Sequence, residues 1–196
     1  MQEVIQRLVA KIVALDQAHA PFVILGLEVG RTQPLVATMS LSRGQQVQLR
    51  GVIDRIDEKE GVVRVLDYKT GSDNKRISSL AALFDTNNRT RNGAALQTLW
   101  YAWLYQRTHP TAQTVMPGLI NSRQVFEPSF APYFAIKKEE GKTYVPLLTM
   151  RSYQKAFEAE LQQVLEELWD PEVPFDQTPE ASRCTHCPYK SICERH

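Results

Sequence analysis

The sequence lacks a long apolar run and an excess of one charge, and its first residues are not expected to form a secretory leader. No stretch approaches the roughly 20 apolar residues that a membrane-spanning helix needs, so no membrane partner is expected. The opening segment MQEVIQRLVAKIVAL mixes charged and amide residues into its apolar positions, unlike the unbroken apolar centre of a signal peptide. We therefore expect a cytoplasmic protein. The formal net charge of +1 neither supports nor excludes a nucleic-acid partner, because a local basic patch is enough to contact phosphates.

The residues that are present predict an α/β (α+β) domain. The chain has 196 residues, of which 43% are hydrophobic and 23% charged, as in globular domains with their own core. Helical periodicity predicts helices over 2–19, 94–107 and 152–169. Branched apolar runs predict strands over 22–29, 35–41, 46–57, 62–69, 115–121, 131–137 and 143–149. Residues 71–92 read as a loop with one short helix. A proline-containing link then separates a core, 1–175, from a cysteine tail, 176–196, which we expect to pack on that core.

The clearest pair of strands places charged residues where an apolar face is expected. Residues 46–57 and 62–69 flank the polar turn EKEG, which predicts a β-hairpin. With a four-residue turn, Asp54, Asp67 and Lys69 share one face with apolar side chains, because successive side chains alternate along a strand. That face should be buried. The charged residues expected on the opposite, solvated face are Arg55, Asp57 and Arg64.

Buried charges are costly unless they are paired or bind a metal ion. Two converging carboxylates, from Asp54 and Asp67, can hold Mg²⁺ or Mn²⁺, with water and a phosphate oxygen completing the shell. Such a metal polarises the phosphate and lowers the pKa of bound water. The nearby Lys69 can orient that water or offset charge on the phosphate. The alternative is a surface hairpin with ordinary ion pairs, since D-x-K alone is a weak signal.

The motif G-x-x-D followed by D-Y-K-T-G resembles the core of the RecB/AddB-like branch of the PD-(D/E)xK nuclease superfamily. The matching residues are Gly51, Asp54, Asp67, Lys69, Thr70 and Gly71. The resemblance implies a restriction-endonuclease-like fold, with a central mixed sheet flanked by helices. It also implies that Asp54 and Asp67 bind the metal and that Lys69 is catalytic.

Two further features extend the resemblance. The family's Q-x-x-x-Y element is present as Gln97 and Tyr101, which lie on one face of the predicted helix. The resemblance gives both residues a role in the site, whereas by themselves they fit a polar helix position and a core aromatic. Glu28, at the end of the strand before the hairpin, matches a glutamate that the family often places near the metal. Its alternative is an ordinary surface residue.

All three cysteines, Cys184, Cys187 and Cys193, lie in the last thirteen residues. Clustered cysteines in a cytosolic chain favour a metal site over disulfides, and three thiolates are one short of the four that hold a [4Fe–4S] cluster. The resemblance to AddB and CRISPR-associated nucleases implies a cluster in the full-length protein, with the fourth cysteine far upstream. The alternatives are a zinc site completed by His186 or His196, or free thiols.

The upstream partners of these motifs are not found in the sequence. No cysteine precedes Cys184, and His19, the only histidine before the hairpin, does not match the histidine that the family uses as a metal ligand. The chain therefore resembles a nuclease domain that begins after the segment bearing those residues. Cluster assembly and activity of the isolated chain are accordingly open at this point.

A modest basic stretch between the hairpin and the next helix predicts contacts with DNA phosphates. The candidate residues are Lys75, Arg76, Arg89 and Arg91. For any one of them, a solvated loop residue is the alternative.

These observations together predict a Mg²⁺-dependent deoxyribonuclease. The resemblance implies an exonuclease that acts on DNA ends or single strands, attached to a helicase-like domain or subunit in DNA repair and recombination. One alternative is a nuclease-like module that binds DNA or serves as a scaffold without cutting. Another is a CRISPR-adaptation or restriction-type nuclease, which would share the chemistry and differ in its partners.

Overall fold

The structure of the chain is a computed structural model that describes residues 2–88, 90–138 and 140–194. Within these residues the helices are α1 (Gln2–His19), α2 (Ala81–Phe84), α3 (Gly93–Thr108) and α4 (Gln154–Leu168). The strands are β1 (Val23–Val29), β2 (Leu35–Ser40), β3 (Gln46–Gly51), β4 (Ile53–Lys59), β5 (Val62–Lys69), β6 (Arg76–Ile77), β7 (Thr114–Asn121), β8 (Phe134–Lys137) and β9 (Tyr144–Leu147). Short 3-10 helices occupy Gln124–Phe126 and Ala181–Cys184. No described helix is long and apolar enough to cross a membrane.

The central sheet is mixed, with the strand order β1-β4-β5-β7. Strand β4 is antiparallel to β1 and to β5, whereas β5 and β7 are parallel. Parallel neighbours need a long crossover, which α3 supplies by packing on β5 and β7. The predicted fold class, a central mixed sheet flanked by helices, is confirmed.

The turn between β4 and β5 is shorter than predicted. It consists of Glu60 and Gly61, whose φ angles are 52° and 78°, as a two-residue type I′ hairpin turn requires. The observed pairs include Asp57 with Arg64 and Arg55 with Leu66, and one step beyond the second pair places Asp54 opposite Asp67. The predicted register was therefore wrong by two residues. Because side chains alternate with a period of two, that error left every residue on its predicted face.

The predicted strand over 46–57 is two strands that meet at Val52. Strand β3 pairs with β2 in a separate two-stranded sheet, while β4 joins the central one. A third sheet, β6-β8-β9, includes a strand within the predicted loop 71–92. The main core lies between these sheets and α3, and its largest fully buried side chains include Trp103, Leu99, Leu104, Phe134 and Phe157.

The opposite face of the central sheet lies against α1. Leu8 and Ile12 of this helix pack on a small cluster that contains Leu66 and Ile120. This helix overturns the prediction that the charged residues on that face are solvated. The exposed fractions of their surfaces are 4% for Arg55, 0% for Asp57 and 9% for Arg64.

Candidate active site

Two carboxylates and an amine meet where β5 ends. Asp67 is 1% exposed, and Lys69 follows it on the same face of the strand. The Lys69 Nζ atom lies 3.0 Å from Asp67 Oδ2 and donates a hydrogen bond to Oδ1 at 3.2 Å. From β4, Asp54 Oδ2 accepts a hydrogen bond from the backbone N–H of Tyr68 at 2.9 Å. The predicted group of Asp54, Asp67 and Lys69 is thus brought together at one edge of the sheet.

Helix α3 extends this group through side-chain hydrogen bonds. Asn92 caps the helix by accepting a bond from the N–H of Ala95 at 3.0 Å, as its residue type favours. One turn into the helix, Gln97 Oε1 accepts a hydrogen bond from Lys69 Nζ at 2.8 Å. Gln97 Nε2 in turn donates to the hydroxyl of Tyr101 at 2.7 Å. A continuous chain of hydrogen bonds therefore runs from Asp67 through Lys69 and Gln97 to Tyr101.

The glycine of the G-x-x-D motif allows this helix to approach. A Cβ atom at Gly51 would lie 2.9 Å from Cε1 of Tyr101 and 3.2 Å from Cδ2 of Leu104. Such distances are shorter than an ordinary van der Waals contact. A side chain at this position would therefore push α3, and the ring of Tyr101, away from the strands.

The electrostatics of the site favour a bound cation. Burial raises the pKa of the Asp67 carboxyl, the hydrogen bond and charge of Lys69 oppose that shift, and the charges of Asp54 and Asp73 add to it. Asp67 Oδ2 is buried and, although paired with Lys69 as an ion, accepts no hydrogen bond from a described residue. A buried carboxylate is costly unless enough positive charge lies beside it. Paired carboxylate oxygens are the donors that Mg²⁺ prefers, so Asp54 and Asp67 fit a divalent metal.

A profile of the PD-(D/E)XK nuclease superfamily matches residues 1–194. The chain belongs to this superfamily. Its members are nucleases that typically use divalent metals, in agreement with the paired carboxylates and lysine at the end of β5. No curated protein matches the chain at a significant level.

Glu28 lies beside Asp54 in the sheet, but its carboxylate is paired elsewhere. The pairing of β1 with β4 places it at the level of Asp54, between the pairs Leu27–Arg55 and Val29–Ile53. Its carboxylate instead forms an exposed ion pair with Arg31 at 2.8 Å. Among the described residues, no three His, Cys, Asp or Glu side chains are grouped so that they could hold a metal. A role for Glu28 as a ligand stays a prediction.

The cysteine tail of the nuclease ends in a series of turns. Cys184, Cys187 and Cys193 are free and partly buried, and the N–H of Cys187 donates to the carbonyl of Cys184 at 3.1 Å. In the described part of the chain they do not form a metal-binding group, either with each other or with His186. His196 lies outside the described residues.

The predicted DNA-contacting residues have different surroundings. Arg76 and Arg91 are exposed, whereas Lys75 is partly buried, donates to the carbonyl of Ala131 and lies 4.2 Å from the ring centroid of Phe130. Burial lowers the pKa of Lys75. Arg89 lies outside the described residues. Of this set, the two exposed arginines are the best placed to meet phosphates.

Asn121, which the sequence reasoning missed, supports the loop after Lys69. It is 1% exposed and lies opposite Lys69 in the parallel pairing of β5 with β7. Its Nδ2 atom donates to the carbonyl of Gly71 at 2.9 Å and to Asp73 Oδ2 at 3.1 Å. The sequence held one signal for it, a single amide residue at the end of the apolar run TVMPGLIN. The carboxyl ends of neighbouring parallel strands lie side by side, so this residue could have been expected beside the end of β5.

Proposed function

We propose that the chain is the catalytic domain of a Mg²⁺- or Mn²⁺-dependent deoxyribonuclease. The observation that carries this proposal is the buried carboxylate of Asp67, paired with the Lys69 ammonium at 3.0 Å, at a site where Asp54 supplies a second carboxylate. Metal held by the two aspartates would polarise the scissile phosphate and lower the pKa of an attacking water.

The hydrogen bonds divide the roles within the site. The ammonium group of Lys69 has three N–H donors. It donates hydrogen bonds to Asp67 and to Gln97. With a phosphate bound, the third N–H would orient the attacking water or stabilise charge on the phosphate. Gln97 fixes the position of Lys69, and Tyr101 fixes that of Gln97. In this proposal both residues of α3 are positioning residues.

We further propose that the domain acts as an exonuclease on DNA ends or single strands, joined to a helicase-like domain or subunit in DNA repair and recombination. The support is the RecB/AddB-like arrangement of G-x-x-D, D-Y-K-T-G and Q-x-x-x-Y in one chain. Comparing end-labelled linear DNA with closed circular DNA tests the first part, since an exonuclease leaves the circle intact.

The tail, residues 176–196, is proposed to contribute Cys184, Cys187 and Cys193 to a [4Fe–4S] cluster in the full-length protein. The support is their spacing and their free thiols, with a fourth ligand to come from another segment. Iron and sulfide analysis of the full-length protein tests this idea. Content that is unchanged in a Cys187→Ser variant would overturn it.

The decisive experiment measures cleavage of single- and double-stranded DNA with Mg²⁺ or Mn²⁺. The parent chain is compared with Asp67→Ala and Lys69→Ala, and we expect each variant to lose at least ~10²-fold in rate. Lys155→Ala, an exposed change on α4, is the matched control and should cleave like the parent. The proposed nuclease activity would be overturned if neither the parent chain nor the full-length protein cleaved DNA with either metal. That result would favour a module that binds without cutting.

A further inference from the structure

A polar groove lies beside the candidate active site, between β6 and the start of α3. We call it the β6–α3 groove. The residues that line it come from the loop after β5, from β6, from α2, from the segment before α3, from the first residues of α3 and from β9. Those that carry the argument are Asp73, Asn74, Arg76, Arg91, Asn92 and Tyr144.

The side chain of Asn92 holds the walls of the groove together. Its Nδ2 atom donates to the carbonyl of Asn74 at 2.6 Å and to that of Arg76 at 3.2 Å. Its Oδ1 atom accepts the N–H of Ala95 in the first turn of α3. One side chain thus joins the loop, the strand and the helix, so the groove is a built feature of the fold.

The charge of the groove suits an anion. Arg76 and Arg91 are both exposed and form no ion pair with any described residue. The guanidinium of Arg76 lies 5.3 Å from the ring centroid of Tyr144, which fixes one face of the arginine and leaves its N–H groups available. Asp73 also lines the groove and accepts a hydrogen bond from Asn121, so two arginines stand against one carboxylate and the lining keeps a net positive charge.

The groove and the catalytic group share structural elements. Asp73 is held by Asn121, which lies opposite Lys69 in the sheet. Gly93 lines the groove, and Gln97, the hydrogen-bond partner of Lys69, lies one turn further along the same helix. The groove and the catalytic group are therefore built on the same loop and the same helix, within reach of one bound strand.

We propose that the β6–α3 groove binds the phosphodiester backbone of a single nucleic-acid strand, next to the phosphate that is cut, with Arg76 and Arg91 contacting the flanking phosphates. This proposal rests on the proposed nuclease function. Hydroxyl and amide side chains in the lining provide further phosphate donors. A basic groove with an aromatic ring is typical of sites for single strands, which are bound without regard to sequence.

The test measures binding of fluorescein-labelled oligothymidylate by anisotropy, in EDTA so that no cleavage occurs, over a series of salt concentrations. The logarithm of the association constant decreases linearly with the logarithm of the salt concentration, and the magnitude of this slope should decrease by about 0.7 for each phosphate contact that is lost. We therefore expect a smaller slope and weaker binding for the double variant Arg76→Ala/Arg91→Ala. The control is Arg151→Ala, an exposed arginine after Met150, which bonds to the opposite end of β7. It should retain the parent slope.

Two results would overturn the proposal that the β6–α3 groove binds a nucleic-acid strand. One is a parent chain that does not bind the oligonucleotide, and the other is a double variant with the parent slope and a normal melting temperature. A slope that falls only for duplex DNA of equal length would assign the groove to a duplex instead. Because the binding assay needs no metal, its result is independent of cleavage. A smaller slope for the double variant, with no cleavage by the parent or the full-length protein, would support binding in the groove and reject the nuclease. Normal cleavage by the parent, with an unchanged slope for the double variant, would support the nuclease and reject binding in the groove.

Discussion

The two faces of the β4–β5 hairpin both carry buried charge, and they use it differently. On the face toward α1, Asp57 accepts hydrogen bonds from Arg55 at 2.8 Å and from Arg64 at 2.6 and 2.8 Å. Arg55 also donates two bonds to Asp16 of α1, at 2.7 and 2.9 Å. Burial alone would lower the pKa of Arg55, but bonds with Asp16 and Tyr68 raise it above its ordinary value.

The face toward α3 is not closed in this way. Asp67 is as deeply buried as Asp57, yet among the described residues its ion-pair partner is Lys69 alone, with Nζ 3.0 Å from Oδ2. On the face toward α1, two arginines pair with two carboxylates in a closed network that fixes the helix on the sheet. On the face toward α3, one lysine serves Asp67, which leaves the site short of positive charge. The comparison teaches that burial of charge alone does not identify a catalytic site, and that a shortage of cationic partners is the better guide.

The largest effect should come from breaking the closed network. Asp57→Ala leaves two buried guanidinium groups without their shared partner, so we expect the free energy of unfolding to fall by about 3–5 kcal/mol. For a domain of this size the melting temperature should drop by roughly 10 °C. Urea and thermal denaturation measure both quantities. A loss below about 1 kcal/mol would show that the network does not stabilise the fold.

The matched change on the open face should affect activity instead. Asp67→Asn replaces a desolvated carboxylate by a neutral amide of the same shape, and Lys69, which loses its ion-pair partner, is partly exposed to water. The melting temperature should therefore fall much less than in Asp57→Ala. Cleavage should fall by ~10²–10³-fold, because metal-assisted stabilisation of the phosphate is lost. The same denaturation and cleavage assays, run beside Asp57→Ala, separate the two faces. If Asp67→Asn unfolds as readily as Asp57→Ala, the distinction between the faces fails.

The sequence predicted the open face better than the closed one. Side chains alternate between the two faces of a strand, so the sequence shows which residues share a face. The error of two residues in the turn length therefore did not change the predicted faces. What covers a face is a tertiary property. The contact between Arg55 and Asp16 joins residues 39 positions apart, and no local pattern indicates that α1 would lie there.

The same limit explains the rest of the site. Gln97 and Tyr101 were predictable as neighbours because helical geometry places residues four apart on one side. Asn121 was not, because its position beside Lys69 depends on the parallel pairing of β5 with β7. The reason for Gly51 likewise became visible only when α3 was seen against β3.

The smallest effect should come from Gly51→Ala, which tests how closely α3 must approach the open face. The added Cβ would meet the ring of Tyr101 at 2.9 Å, so we expect a loss of about 1–3 kcal/mol from overpacking. Gly93→Ala is the stability control, since a Cβ there meets nothing within 4 Å. It should leave stability unchanged or raise it slightly, because alanine favours a helix.

A double-mutant cycle decides whether the glycine acts through the tyrosine. In a Tyr101→Ala background the ring that would collide is gone, so Gly51→Ala should cost less than it does in the parent. The expected coupling is about 1 kcal/mol by urea denaturation, within the range for residues in contact. Additive costs would mean that the added methyl group is resisted by Leu104, which lies 3.2 Å away, and not by Tyr101. The G-x-x-D glycine would then serve the core alone, and the hydrogen-bonded chain from Lys69 to Tyr101 would not depend on it.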